Sequence, residues 1–285
     1  KQSTVDCFVT RYDDSGIRQW TGQFGAANGI CDASGAATDS SGNLYITGYT
    51  DTALPGTLAL GRYDAFVMKY NSSGGLLWTS LYGTSFNDYG NAITVDANNA
   101  ILVAGSTFGS MGAQNPNADG TTSDLFVMKL DNISGSVLWS SQIGTAENDD
   151  AWAVAADGAG NVWVAGGTYE GLDGNVNVGL YDLFVVKFDG AGAKLWTKQV
   201  GSGDNDVAQA VVADASGNIY VAGKTSGGLD LATNSGLNDL FVMKIDSSGN
   251  TLWISQDGTS LADEGSGAVL DGSGNVYVCG TTSGG

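Results

Sequence analysis

The chain has 285 residues, 42% of them hydrophobic, with 44 glycines, two prolines and no histidine; thirty acidic against eleven basic residues give a formal charge of −19. Such a length holds one large domain or two ordinary ones around a sizeable core, and glycine-rich, proline-poor composition fits many short strands joined by tight turns. The charge repels nucleic-acid phosphates and anionic lipid surfaces, and the lack of histidine excludes Ser-His-Asp, Cys-His and His-zinc chemistry, leaving carboxylates for any catalysis.

The chain opens on KQSTVDC, which lacks the apolar stretch of a signal peptide, and no apolar run approaches the roughly 20 residues needed to span a bilayer. A soluble protein without membrane insertion is expected. The first element, DCFVTRY from Asp6, leads through a glycine-bearing turn to Trp20 and Gly25, and then to DSSGNLYITG from Asp39. The same order returns four more times. DAFVMKY from Asp64, DLFVMKL from Asp124, DLFVVKF from Asp182 and DLFVMKI from Asp239 lead to Trp78, Trp139, Trp196 and Trp253, each with a glycine five residues later. The second pattern recurs as DANNAILVAG from Asp96, DGAGNVWVAG from Asp157, DASGNIYVAG from Asp214 and DGSGNVYVCG from Asp271, so the period is close to 57 to 60 residues.

Within one period GNAITVD, AILVAGST, DLFVMKLD and VLWSSQIG read as strands, being rich in β-branched and aromatic residues and bounded by Gly, Asn, Asp or Ser. A lone four-stranded sheet cannot bury both faces, so such repeats stack as propeller blades. The expected fold class is all-β: a five-bladed β-propeller of four-stranded antiparallel blades, one domain over residues 1–285. Because the chain starts with the outer two strands of a blade and ends, at GAVLDGSGNVYVCGTT, with the inner two, one blade is expected to be shared between the N- and C-termini.

The segments DAFVMKY, GGLLW and VDANNAILVAG resemble the bacterial β-propeller repeat family often called SBBP, and the resemblance covers essentially the whole chain. It implies an extracellular or cell-surface protein. It also implies seven blades where this sequence supplies five repeats, so either the ring has five blades or further residues complete it. The SGxxLWxxxxG segments are similar to the tryptophan docking motif of quinoprotein propellers, which implies blade packing and not a quinone cofactor.

Asp88, Asp149, Asp206 and Asp263 stand eight residues before each turn aspartate, at the entry to each innermost strand, and Cys31 takes that place in the first copy. Rings of carboxylates can bind Ca²⁺, which accepts six to eight oxygens; the competing role is accepting N–H bonds within each loop. The turn aspartates Asp39, Asp96, Asp157, Asp214 and Asp271 read as Asx-turns. Arg11, Lys69, Lys129, Lys187 and Lys244 form a basic series in apolar strands, expected to pair with one aspartate set or to reach solvent. The five repeated tryptophans read as packing against the next blade. Tyr49, Tyr63, Tyr89, Tyr169 and Tyr181 fall in or near loops and are the candidate ligand-binding aromatics. Cys7 and Cys279 replace apolar residues in strands that a shared blade would make neighbours, so a Cys7–Cys279 disulfide pinning the termini is expected, with Cys31 the odd thiol.

The functional expectation is an extracytoplasmic, secreted or cell-surface binding or scaffold module, not an enzyme and with no nucleic-acid partner. Its varied connections, Gly48 to Phe66, Gly105 to Phe126, Gly166 to Phe184 and Gly223 to Phe241, would meet a protein or glycan partner on the extracellular side. A multivalent lectin-like propeller is the alternative. A carboxylate-dependent glycosidase is the third reading, weakened because Glu147, Glu170 and Glu264, the only glutamates, single out no catalytic pair.

Overall fold

The computed structural model describes residues 5–25, 29–111 and 119–284. Residues 112–118 of the Gly105–Phe126 connection lie outside this set. Every repeated stretch forms the strand expected of it, and the strands gather into two compact units, Lys1–Gln142 and Ile143–Gly285.

In the first unit β1 (Cys7–Tyr12) and β2 (Arg18–Phe24) form a two-stranded sheet. Next come β3 (Cys31–Thr38), β4 (Leu44–Thr50), β5 (Asp64–Tyr70) and β6 (Leu76–Tyr82), then β7 (Asp88–Val95), β8 (Ile101–Thr107), β9 (Asp124–Leu130) and β10 (Val137–Ile143), each set one four-stranded sheet in chain order. The second unit repeats the plan. It has β11 (Asp149–Ala156), β12 (Val162–Thr168), β13 (Asp182–Phe188) and β14 (Lys194–Val200), then β15 (Asp206–Ala213), β16 (Ile219–Thr225), β17 (Asp239–Ile245) and β18 (Thr251–Asp257), and closes with the hairpin β19 (Asp263–Leu270) and β20 (Val276–Thr282).

Among the described residues β1-β2 and β19-β20 are separate two-stranded sheets beside four sheets of four strands, so the β20–β1 pairing that the expected shared blade requires is not among the strand pairings. Hairpin pairing is local and satisfied within each repeat, while ring closure needs contact between the most distant parts of the chain. Burial follows the same division. All seven residues of β8 and of β12 are buried, because the second strand of a complete sheet is covered on both faces, whereas β20 is mostly exposed.

Between sheets of one unit, packing runs through the repeated residues. Lys187 is cross-strand partner to Trp196, and both donate to the carbonyl of Ser247 in the turn of the next sheet, at 2.8 and 3.4 Å. Lys69 and Trp78 do the same to Asn132, at 2.6 and 3.4 Å, and Arg11 and Trp20 to Ser72. The ammonium groups of Lys69 and Lys187 also lie 5.2 and 5.1 Å from the ring centroids of Tyr45 and Trp163. In these three repeats the basic residue and the tryptophan are thus one docking device, while Lys129 and Lys244 pair with the turn aspartates Asp96 and Asp214, at 2.8 and 3.9 Å, as expected of the basic series.

Candidate functional site

Among residues that barely change from repeat to repeat, the positions that do change mark the surface free to acquire a specific role. One set was not legible in the strand pattern. Each inner strand carries a β-bulge three residues after its start, where the ladder to the second strand skips one residue. The skipped residues are Ser34, Asn91, Trp152, Gln209 and Ser266, four kinds of side chain over five positions, flanked each time by alanine or glycine. A bulge re-aims its side chain and recurs beside binding sites. The signal was present as a variable letter inside D-x-(A/G)-x-(A/G), but a bulge cannot be told from regular pairing without the partner strand.

The same end of each sheet holds the candidate tyrosines. Its backbone is stitched from sheet to sheet: the N–H of Asp88 donates to the Tyr63 carbonyl at 2.8 Å, and that of Asp206 to the Tyr181 carbonyl at 2.7 Å. This brings the rings together in two groups. In the first unit Tyr49, Tyr63 and Tyr89 have centroids 4.9 to 5.7 Å apart, and the Tyr49 hydroxyl donates to Asp32 at 3.1 Å. Burial and the Asp32 charge push the Tyr49 phenol above its usual range. In the second unit Tyr169 and Tyr181 stand 4.3 Å apart, and Tyr181 lies 6.5 Å from the bulge residue Trp152. A side chain at Gly167, the place of Tyr49, Ser106 and Lys224 in other repeats, would press on Trp152 and Tyr181 at 3.2 and 3.1 Å. Glycine there lets the indole lie across the strand.

Beyond Trp152 lies a concavity of about 330 Å³, lined by Trp152, Val207, Gln209, Lys224 and Ser266. Three of those five are bulge residues. Lys224 is held at 2.8 Å by Glu264, which also accepts from the Asn238 amide at 3.3 Å. The Oε1 atom of Gln209 is buried and meets no hydrogen-bond donor among the described residues.

The aspartates expected at the entry to each inner strand are buried and held within their own loops. Oδ2 of Asp88 accepts from the N–H and hydroxyl of Thr84 at 2.6 and 3.1 Å, and Oδ1 from the Thr107 hydroxyl. Thr145 serves Asp149, Ser202 serves Asp206 and Thr259 serves Asp263 in the same way. Among the described residues no three His, Cys, Asp or Glu side chains stand close enough to hold an ion. The turn aspartates are Asx-turns, Asp39 accepting from the N–H groups of Ser41 and Asn43, both at 2.9 Å.

A second aspartate faces the first. Oδ1 of Asp64 and Oδ2 of Asp88 both flank Gly83, at 2.7 and 2.8 Å from where its Cβ would stand. Asp64 Oδ2 accepts from the N–H of Leu60, while its Oδ1 is buried without a donor. Burial, with the Asp64 charge adding to it, pushes Asp88 up to about 6 against the pull of its Thr107 and Thr84 hydrogen bonds, and burial raises Asp64 too. Burial and then Asp182 raise Asp206 likewise. Two such carboxylates share a proton more readily than both ionise. In four repeats a glutamine three residues after the tryptophan serves the outer partner, as Gln199 serves Asp182 and Gln256 serves Asp239, both at 2.9 Å; Leu81 stands there beside Asp64. The same glutamines also accept from Leu172 and Leu229, anchoring the long connections that composition had marked as freely variable.

The disulfide joins Cys7 to Cys31, with Cα atoms 5.4 Å apart, and Cys279 is free and exposed. The expected Cys7–Cys279 bond presupposed the shared blade. Cys31 instead stands where the first N–H of β7, β15 and β19 donates to the residue before the aspartate of the preceding repeat motif, here Val5 before Asp6, at 2.8 Å, and Cys7 is two residues further on. The bond staples neighbouring sheets where other repeats place an aspartate.

The SBBP beta-propeller repeat family matches residues 19–54 and 195–230. The regulatory protein FlaEY of Caulobacter vibrioides is 28% identical over 210 residues, covering 67% of this chain and 22% of that protein. An uncharacterised WD repeat-containing protein of Acanthamoeba polyphaga mimivirus is 23% identical over 359 residues, covering 96% of this chain and 26% of that protein. The chain spans about a quarter of the length of the curated relatives it matches. The Neurospora crassa Pan2 WD40 domain superposes with a TM-score of 0.55 at 12% identity, over 95% of this chain and 66% of that one, a likeness of fold.

Proposed function

We propose that this chain, built of SBBP beta-propeller repeats, is a non-catalytic binding module that presents a protein partner with the inner-strand bulges and flanking tyrosines gathered at one end of the sheets in each of its two units. The observation that carries this reading is the concentration of change at one end of an otherwise repeated framework, at Ser34, Asn91, Trp152, Gln209 and Ser266. Aromatic side chains with polar neighbours are the usual anchors of protein interfaces. The names of the regulatory and WD-repeat relatives support a protein-interaction role. The Cys7–Cys31 bond supports an oxidising, extracytoplasmic setting. Its buried carboxylates are committed to loops and sheet junctions, which speaks against a glycosidase pair.

The test is quantitative affinity capture from the source cell's extracellular fraction with three forms of the full chain. The expected outcome is a partner retained by the wild type and by Ser216→Arg, an exposed turn substitution at the other end of its sheet, and lost with Tyr89→Ala combined with Trp152→Ala. Loss with Ser216→Arg and retention with the double variant would overturn the assignment.

A further inference from the structure

The concavity of the second unit has a chemistry that narrows what it accepts. Its wall offers an indole face from Trp152, a hydroxyl from Ser266, an amide from Gln209 and, at its edge, the Lys224 ammonium already paired with Glu264. Gln209 Oε1 is a buried acceptor without a donor among the described residues, and leaving such an atom unmatched is unfavourable. A ligand that donates a hydrogen bond there relieves that cost.

A wholly apolar ligand would leave Gln209 Oε1 unmatched. An anion would meet Glu264 and a chain of formal charge −19, and a cation would meet Lys224. What suits all these groups is a neutral molecule whose polar groups both donate and accept and which has one apolar face for the indole. A pyranose has that constitution: hydroxyls around its edge and a face of C–H bonds. The pocket, about 330 Å³, falls within the range of small-molecule sites and is large enough for one such ring.

We propose that this pocket binds a neutral saccharide unit, its C–H face on Trp152 and one hydroxyl donating to Gln209 Oε1. The proposal rests on the bulge residues being a binding surface, and it makes three successive bulges the specificity determinants: Trp152 as platform, Gln209 as acceptor and Ser266 as the far wall.

The experiment is a glycan array of the full chain followed by calorimetric titration with free neutral hexoses, N-acetylhexosamines and their disaccharides. One sugar class is expected to bind. Trp152→Ala and Gln209→Leu should each weaken it at least about tenfold, and Ser216→Arg, in an exposed turn, should leave it unchanged. Ser266→Trp fills the pocket from an exposed position and should abolish binding while leaving thermal stability near wild type, which guards against reading a folding defect as a lost contact. Absence of binding across the panel, or binding indifferent to Ser266→Trp, overturns the proposal. If capture of a protein partner still depends on Tyr89 and Trp152 in that event, the module reading stands and only the saccharide fails; if capture is indifferent to them as well, both fall.

Discussion

Replacing Asp64 by asparagine should stabilise the protein at neutral pH, although it removes a buried residue of the repeat. Asp64 Oδ2 accepts from Leu60 at 2.7 Å, so the asparagine oxygen takes that place and its amide nitrogen takes that of the unmatched Oδ1, facing Asp88 across Gly83. The substitution removes a like charge that acts on the Asp88 carboxylate and puts an N–H donor in its place. A folded value of about 6 for Asp88 against an ordinary 3.8 corresponds to about 3 kcal/mol, at about 1.4 kcal/mol per pH unit. Because the folded value is raised, this contribution is fully present below about pH 4 and is lost as pH rises through about 6. The carboxylates held low by hydrogen bonds, such as Asp246 and Asp271, act below the ordinary range and do not obscure that window. Urea denaturation of both proteins between about pH 4.5 and about pH 7.5 reads the difference. Asp64→Asn should gain about 1–3 kcal/mol near pH 7 and should show a flatter slope across the window. A variant less stable than wild type at pH 7 with an unchanged slope would refute the proton-sharing pair.

In denatured, unreduced protein, thiol titration should find one reactive cysteine, Cys279, and three after reduction; three before reduction would contradict the Cys7–Cys31 bond. Cys31→Ser opens a loop with a sequence separation of 24 and should cost about 3–4 kcal/mol on the chain-entropy treatment, read as a lower urea midpoint. Lys187→Met should cost only about 1–2 kcal/mol, because the Ser247 carbonyl keeps the Trp196 indole as a donor; a larger loss would give the ammonium more weight than this geometry allows. Gly201→Ala would place a methyl group 2.0 Å from Asp182 Oδ1 and should lower stability by about 3 kcal/mol. Repeating it in an Asp182→Ala background should remove most of that penalty, and persistence would mean the strain lies in the backbone.

The long connections need more than a length argument. Leu172 and Leu229 are buried, and their N–H groups are bound by Gln199 and Gln256, so these segments are attached to the sheets rather than free to vary. The bulges vary too, at positions where the backbone is held on both sides and only the side chain differs. Within each unit, side chains that differ on a backbone held on both sides suit recognition, because little ordering entropy opposes a partner.

The amino-acid sequence by itself determined what depends on neighbours along the chain. Alternating β-branched and aromatic residues make the strands, Asp-x-x-Gly-Asn makes the Asx-turns, and the recurrence of both makes the repeat, because each needs only a few consecutive residues to settle its geometry. The tryptophans were legible as packing residues for the same reason of fixed spacing. Tertiary structure alone decided which residues meet between sheets. Cys7 reached Cys31 instead of Cys279, Asp64 met Asp88, and Trp152, Gln209 and Ser266 converged on one pocket although each lies 57 residues from the next. Those contacts are set by the register of paired strands and the seating of one sheet on another, which no short stretch of the chain encodes.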